Sequence, residues 1–378
     1  EYGFPTDVTL WDSKNTTSRN IKISEVLEDK SGYIAIQSTD LSVLKKSGRG
    51  NIKFDGLKQR LLDYKGKSKE TQTDILIGLA GETSKSHMKT LYDSFDLGFD
   101  MIQPYNIRLL PGTDYESEEQ RRLYKIKTKF RLIFGSYGIY NNKLVFEIEE
   151  SVRSTKDMSE NELESFKILH WLIYFCWNIG IFKPLLKYAN IELNINPMDV
   201  LLHVLETKKN KLRELFSSMK NESTSEWFGT KKDLIAYYED ARNRNKLKEF
   251  KKLNAWWIAK LYSDNDLLNI LYDDIVLCIE NHSVKKYSND VVWDELKNIN
   301  SKLLSFGDLS KSEQSPIISV HGKTIYYLNG DSRYVDKLNM KIYINRDNES
   351  AQWWDYYLDG ESYSDVPINQ FLSALEKG

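Results

Sequence analysis

The sequence predicts an α/β chain built on a parallel sheet, and three observations predict it. Short apolar runs alternate with amphipathic stretches over residues 1–115, which is the grammar of βα units. One of these runs, ILIGL at 75–79 inside TDILIGLAGET, is too short for a helix and is broken by Gly78 and Gly81. It reads as a strand buried on both faces, and such strands belong to parallel sheets. The run ends in a glycine turn that opens a helical pattern at 84–97, with Met88, Leu91, Tyr92 and Phe95 on one side. Backbone N–H groups freed at that turn face the carboxyl edge of the sheet, the place for a ligand, although an ordinary βα connection uses the same turn.

In chain order, 8–11 is a first strand and 12–19 a polar loop headed by WDSKN. Ile21, Ile23, Val26 and Leu27 mark a helix. A second strand at 33–36 closes on Gln37 and Ser38. Leu41, Val43 and Leu44 lead a helix to Gly48-Arg49-Gly50, and 52–64 adds Leu57, Leu61 and Leu62. The central strand comes third, and a fourth at 101–110 stops at Pro111-Gly112-Thr113. Crossovers between such strands are right-handed. Four strands do not close a barrel, and the sequence begins at Glu1 without a methionine, so the expectation is a piece whose amino-terminal units lie upstream.

Beyond Tyr115 the pattern changes. Residues 118–131 are strongly charged and read as a helical face, with Arg121, Arg122, Lys125, Lys127, Lys129 and Arg131 either solvated or facing an anion. A short strand is expected at 143–148. Ser159 and Glu162 resemble a capping box at the start of a long helix that runs through His170 and Cys176 to Phe182, where Gly180 and Pro184 break it. Further helical patterns occupy 198–206, 211–219, 231–262, 267–279 and 291–304. Residues 317–328 and 340–345 alternate, and Trp353-Trp354 and Tyr356-Tyr357 follow, which reads as a small β-containing unit. The expected organisation is a sheet-bearing part at 1–115, a mostly helical part at 116–304 and a tail module at 316–378.

Composition bounds the function. At 378 residues and 40% apolar content the chain holds a substantial core. Its 53 basic and 55 acidic residues leave a net charge of −2, so no basic field argues for nucleic acid. The two cysteines, Cys176 and Cys278, sit in apolar helical patterns and read as buried reduced thiols of a cytoplasmic protein. No apolar run is long enough for a membrane segment.

The five histidines are scattered, with no HxH, HExxH or paired Cys/His spacing, so no metal ligands are assigned. No GxGxxG or GxxxxGK[ST] occurs. What remains is polar residues around one sheet: Gln37 ending a strand, Arg49 on the following segment and Asp74 on the next strand. An amide, a guanidinium and a carboxylate so placed suit a ligand with a carboxylate, an amine and ribose hydroxyls.

Three phrases in order, IAIQSTDLSVLKKSGRGN, DILIGLAGET and IQPYNIRLLPGT, resemble the second half of a radical S-adenosylmethionine (SAM) barrel. They are most similar to enzymes of that family that carry an amino-terminal cobalamin-binding domain. The resemblance covers 8–113 and continues more loosely to about 206. It implies the carboxy-terminal half of a partial (β/α)6 barrel, a TIM-like fold. A 4Fe–4S cluster would be held by CxxxCxxC, with SAM on the open iron and cleaved to a 5′-deoxyadenosyl radical. It also implies an electron donor such as flavodoxin or ferredoxin, a small-molecule substrate and, for this class, cobalamin.

Carried over by position, Gln37, Ser38 and Arg49 would contact SAM's ribose and methionine carboxylate, and Asp74 the ribose. Gly78 with Leu79 would line the adenine, Arg108, Leu109 and Leu110 would supply backbone around it, and Asp12 is a further contact. Glu82 reads as a helix-start residue that orients the turn. The family's proline in LPGET is Ala80 here, and CxxxCxxC is missing, so the chain as it stands is expected not to hold the cluster. The implied reaction is methylation of a carbon centre, with rearrangement of a carbon skeleton as a relative's alternative. Three other readings stay open: a radical SAM enzyme without cobalamin, a cluster-free binding module, and an unrelated (β/α) barrel hydrolase or aldolase.

Overall fold

A computed structural model describes residues 18–27, 31–48, 54, 56–66, 70–141, 143–247, 253–262, 264–282, 290–304, 317–330, 332–338, 340–343 and 375–377. The expected strand at 8–11, Asp12, Arg49 and the aromatic pairs at 353–357 lie outside these residues. The chain is α/β, mostly helical with a small parallel sheet. It divides into two compact units, one of residues 1–170 and 224–249, the other of 171–223 and 250–378.

The first unit carries helices α1 (Ser18–Val26), α2 (Leu41–Lys46), α3 (Leu57–Gly66), α4 (Ser84–Leu97), α5 (Glu118–Tyr124) and the start of α6 (Glu160–Leu172). Strands β1 (Ser31–Tyr33), β2 (Glu70–Ile77) and β3 (Met101–Asn106) form a parallel sheet in the order β1-β2-β3. β2 begins five residues before the apolar run because its polar start is also pinned: the Thr71 hydroxyl donates to Asp100 at 2.6 Å and the Thr71 amide to the same oxygen at 3.1 Å. Along β2 burial alternates, with Thr71, Thr73, Ile75 and Ile77 buried and Gln72, Asp74 and Leu76 half-exposed. Gly32, level with Thr71, shows which face the helices cover: a Cβ there would stand 2.9 Å from the Tyr64 ring of α3. The other face carries Tyr33, Gln72, Asp74, Gln103 and Tyr105.

Local signals set the helix ends. The Asp40 carboxylate caps α2, accepting from the amides of Ser42 and Val43. Thr83 and Ser86 form a capping box at the start of α4, and Gly98 ends it at φ 86°. The capping box expected at Ser159 and Glu162 is present. The Ser159 amide donates to Glu162 at 2.8 Å and the Glu162 amide to the Ser159 hydroxyl at 3.3 Å.

β3 is shorter than the expected 101–110. After Asn106 the backbone pairs instead with a hairpin made of β4 (Lys127–Tyr140) and β5 (Lys143–Ser154). The Val152 amide donates to Ile107 at 2.9 Å and the Leu109 amide to Glu150 at 2.8 Å, so β5 bridges antiparallel to the segment that follows β3. The helical face expected to reach Arg131 ends at Tyr124, where Lys125 takes a left-handed φ of 49°. From Lys127 the cations alternate with Thr128, Phe130 and Leu132 at a period of two, so Lys129 and Arg131 fall on one face of a strand. The strand expected at 143–148 runs on to Ser154.

The expected helix over 231–262 is three pieces: a helix at Lys231–Glu239, a short 3-10 turn at Arg244–Leu247 and a helix at Leu253–Tyr262. The first break falls at Asp240, whose side chain accepts from the Arg242 amide at 2.9 Å and so competes with the helix.

The second unit is helical, with helices at Lys183–Leu193, Pro197–Leu205, Asn265–His282 and Val291–Leu304, and a one-turn π-helix at Ile173–Asn178. Its tail holds a three-stranded antiparallel sheet of Ile317–Val320, Met340–Tyr343 and Leu375–Lys377. The alternation expected through 328 turns helical at Gly322–Asn329. His321 is the residue before that helix, and its amide donates to Glu295 at 2.9 Å. Among the described residues no single helix is long and apolar enough to cross a membrane.

Candidate functional site

The polar groups at the strand ends are set by the sheet itself. The Gln37 amide donates to the Asp74 carbonyl at 2.8 Å, and the Leu76 amide returns to the Gln37 carbonyl at 3.0 Å. This pairing carries β1 past its end and places Gln37 beside β2. The Ser38 amide then reaches back to the Ile36 carbonyl at 2.8 Å, closing a γ-turn with Gln37 at its centre at φ 65°. A γ-turn with positive φ is the strained kind, and strain of this sort costs about 1–3 kcal/mol. At this residue the buried amide oxygen Oε1 also has no hydrogen-bond partner among the described residues. Strain and an unsatisfied acceptor at one buried side chain are what a residue waiting for a donor shows.

Asp74 lies on the half-exposed face of β2, and the Tyr33 hydroxyl donates to its carboxylate. Burial lifts the Asp74 carboxyl above the ordinary aspartate range, against the opposing pull of that hydrogen bond. Burial and the same carboxylate raise Tyr33, which stays protonated. A carboxylate held by one phenol keeps lone pairs for further hydroxyl donors. Sheet pairing brings Gln37 and Asp74 together.

The other residues named from the sequence sit as follows. Ser38 is buried toward α4, its hydroxyl 3.3 Å from that of Thr90 and accepting from the Asp40 amide at 3.2 Å. Gly78 has φ 97°, and a Cβ there would meet Val152 at 3.2 Å. Its amide donates to Glu82 at 2.7 Å and its carbonyl accepts from the Tyr115 hydroxyl at 3.1 Å. Leu79 and Leu109 are buried in one apolar cluster with Val43, Ala80, Ile107, Tyr124, Ile126 and Val152. Leu110 is exposed. The Arg108 side chain is half-exposed and its Nε lies 2.6 Å from Glu149.

Sequence reasoning missed the partners of Glu82. Its carboxylate is fully buried, and one oxygen accepts from the amides of Gly78 and Leu79 at 2.7 and 3.2 Å. The other oxygen is 2.9 Å from His87 Nδ1, and His87 Nε2 is 2.9 Å from His170 Nε2. Desolvation, together with His87 and Lys167 nearby, holds the His170 pKa well below its usual value. One local signal was available: Glu82 and His87 lie five residues apart across the start of one helix. His170 has no local signal.

Among the described residues, no group of three His, Cys, Asp or Glu side chains is placed to hold a metal ion. Cys176 and Cys278 are buried, and burial pushes both thiols up, Cys278 to about 11.

No family model matches the chain. Over 133 residues it is 26% identical to the cobalamin-dependent radical SAM methyltransferase TokK of Streptomyces tokunonensis, covering 34% of this chain and 20% of that protein. Over 166 residues it is 25% identical to a 2-(S-pantetheinyl)-carbapenam-3-carboxylate methyltransferase of Streptantibioticus cattleyicolor, covering 42% of this chain and 24% of that protein. The chain thus matches about a fifth to a quarter of the length of these curated relatives. Both are methyltransferases by name, and the likeness supports a methyltransferase or radical SAM kind of function for this chain.

Proposed function

We propose that this chain is the SAM-binding, substrate-side part of a cobalamin-dependent radical SAM methyltransferase acting on a carbon centre of a small molecule, with an external one-electron donor of the flavodoxin or ferredoxin type. The observation that carries the reading is Gln37, strained, with a buried acceptor that is unsatisfied among the described residues, and paired through its backbone with Asp74 and Leu76 of parallel strand β2, whose open face carries the Asp74 carboxylate. Ligands of open parallel sheets bind beyond that edge.

The residues fit SAM. Gln37 Oε1 accepts a hydrogen bond from the ligand, and Asp74 accepts the ribose hydroxyls while Tyr33 holds it in place. Glu82 fixes the turn by taking the Gly78 and Leu79 amides. SAM, when bound, supplies the methyl group and the precursor of the radical chemistry. A 4Fe–4S cluster does not fit the residues of this chain. It has two cysteines, both buried, where the family's cluster takes three thiolates in CxxxCxxC. Cobalamin dependence rests on the name of the first relative.

The test is to express without oxygen the whole protein of which this chain is proposed to be a part, since the thiolates for a cluster are not among this chain's residues, quantify iron, sulfide and corrinoid per chain, and measure 5′-deoxyadenosine released from SAM. Release with bound corrinoid is the expected result. Tight SAM binding with neither iron nor 5′-deoxyadenosine would contradict radical chemistry, and no SAM binding at all would point to a binding module.

A further inference from the structure

One face of β5 carries Glu149, Ser151 and Arg153 in alternation. Around it stand, among the described residues, five cations and four carboxylates: Arg108, Lys129, Arg131, Arg153 and Lys167 against Glu149, Glu160, Glu164 and Glu226. Each carboxylate is used. Glu149 bridges Arg108 and Arg131, Glu226 lies 3.2 Å from Arg131, Glu160 lies 2.7 Å from Lys129, and Glu164 lies 2.6 Å from Arg153. The guanidiniums of Arg131 and Arg153 each stack 4.7 Å from the Trp227 ring, which fixes them in position.

One positive charge is left over, and it belongs to Lys167. Glu160 and Glu164 lie on the stripe of α6 that faces Arg153, and Lys167 follows at the next helical step of that stripe. Its electrostatic neighbours are Arg131, Glu226, Arg153 and Glu149, yet among the described residues it makes no hydrogen bond or ion pair. Burial and the Arg131 guanidinium bring its ammonium down to about 8, and burial pushes the Glu226 carboxyl up. A second observation lies on the β5 face between Glu149 and Arg153, both neighbours of Lys167. The Ser151 hydroxyl is fully buried and has no hydrogen-bond partner among the described residues, and Ser151 bridges backbone to backbone with Arg108. An unpaired ammonium, an unsatisfied hydroxyl and a fixed positive surplus are together satisfied by one oxyanion.

We propose that Lys167 and Ser151, in the field of Arg108, Arg131 and Arg153, form a receptor for a single anionic group, carboxylate or phosphate, of the substrate. This rests on the SAM-methyltransferase reading for what the anion belongs to, and on the side-chain cluster alone for its existence. Lys167 donates to two oxygens of the group, and the Ser151 hydroxyl donates to one of them.

The test is pulsed acetylation of the intact protein with acetic anhydride, read residue by residue by mass spectrometry. Inorganic phosphate, acetate and SAM are each added alone, and the exposed Lys85 serves as the internal reference. Saturating phosphate or acetate is expected to slow Lys167 acetylation about fivefold or more and leave Lys85 unchanged, and Ser151→Ala is expected to weaken that protection. The anion that protects at lower concentration tells phosphate from carboxylate. No protection by either anion, or protection equal in Ser151→Ala, would overturn the receptor. Full protection by SAM alone would overturn its assignment to the substrate. Failure of the SAM reading is seen separately, as absent SAM binding on the same samples with the phosphate effect intact.

Discussion

His87 and His170, 83 residues apart in the chain, meet nitrogen to nitrogen at 2.9 Å between α4 and α6. Glu82 closes the chain behind them, so one continuous path of hydrogen bonds runs from α6 to the amides of Gly78 and Leu79. With the His87 proton on Nδ1, that nitrogen donates to Glu82 and the ring's Nε2 accepts from His170. The glycine turn is therefore held from below by buried side chains in addition to its own backbone bond from the Glu82 amide to the Leu79 carbonyl at 3.0 Å.

Glu82→Ala is expected to destabilise the first unit strongly. It leaves two buried amides and His87 without their acceptor, at about 1–3 kcal/mol for each unsatisfied group. Urea unfolding of the variant against the exposed-site control Lys85→Ala measures it. The control should lie within about 0.5 kcal/mol of the parent, and equal stability of the two variants would refute the role given to Glu82.

The same path predicts a pH dependence. The folded pKa of His170 lies below that of the unfolded chain, so the unfolded state binds the extra proton on acidification. Stability from this residue is complete above about pH 6.5 and is lost as pH falls below it, with a slope of up to about 1.4 kcal/mol per pH unit. Unfolding between pH 7.5 and 5.5 should show this slope in the parent and a shallower one in His170→Gln. Parallel slopes would count against it.

Arg153 is nearly buried, pairs with Glu160 and Glu164, and stacks on Trp227. Arg153→Ala should cost about 3–5 kcal/mol, because carboxylates are left beside an apolar gap. Arg153→Lys should recover little, since an ammonium lacks the planar fork that serves two carboxylates and an indole face together. Denaturation midpoints of the two variants decide the point, and full rescue by lysine would show that charge alone matters.

Gly78→Ala meets two obstacles, a φ of 97° and Val152 at 3.2 Å, whereas Gly112→Ala meets only a φ of 81° with open space around it. The first should cost clearly more than the second, whose strain alone is about 1–2 kcal/mol. Equal losses would mean that Val152 yields freely.

Part of this was legible in the residues. The run ILIGL with its glycines announced a parallel strand and the turn after it, because both signals are local, but the strand spans 70–77 and is buried on one face rather than on both. The Ser159 and Glu162 cap was legible for the same reason. The β4–β5 hairpin was not. Lys127, Lys129 and Arg131 look like a solvated helical face until their partners Glu149 and Glu160, brought in from β5 and α6, are known. The strained turn at Gln37 was signalled only by the phrase around it, since no residue preference asks for positive φ at a glutamine. His170 opposite His87, and Lys167 among Arg131, Arg153, Glu149 and Glu226, depend on how α6 crosses α4 and β5, which no local pattern encodes.

The most direct measurement is SAM affinity by equilibrium dialysis of the intact protein, comparing the parent with Gln37→Leu and Asp74→Asn. The account predicts that each substitution weakens SAM binding about tenfold or more, the loss of one good hydrogen bond to a ligand, with unfolding midpoints little changed. SAM binding by the parent that both variants retain in full would contradict the placement of SAM at Gln37 and Asp74.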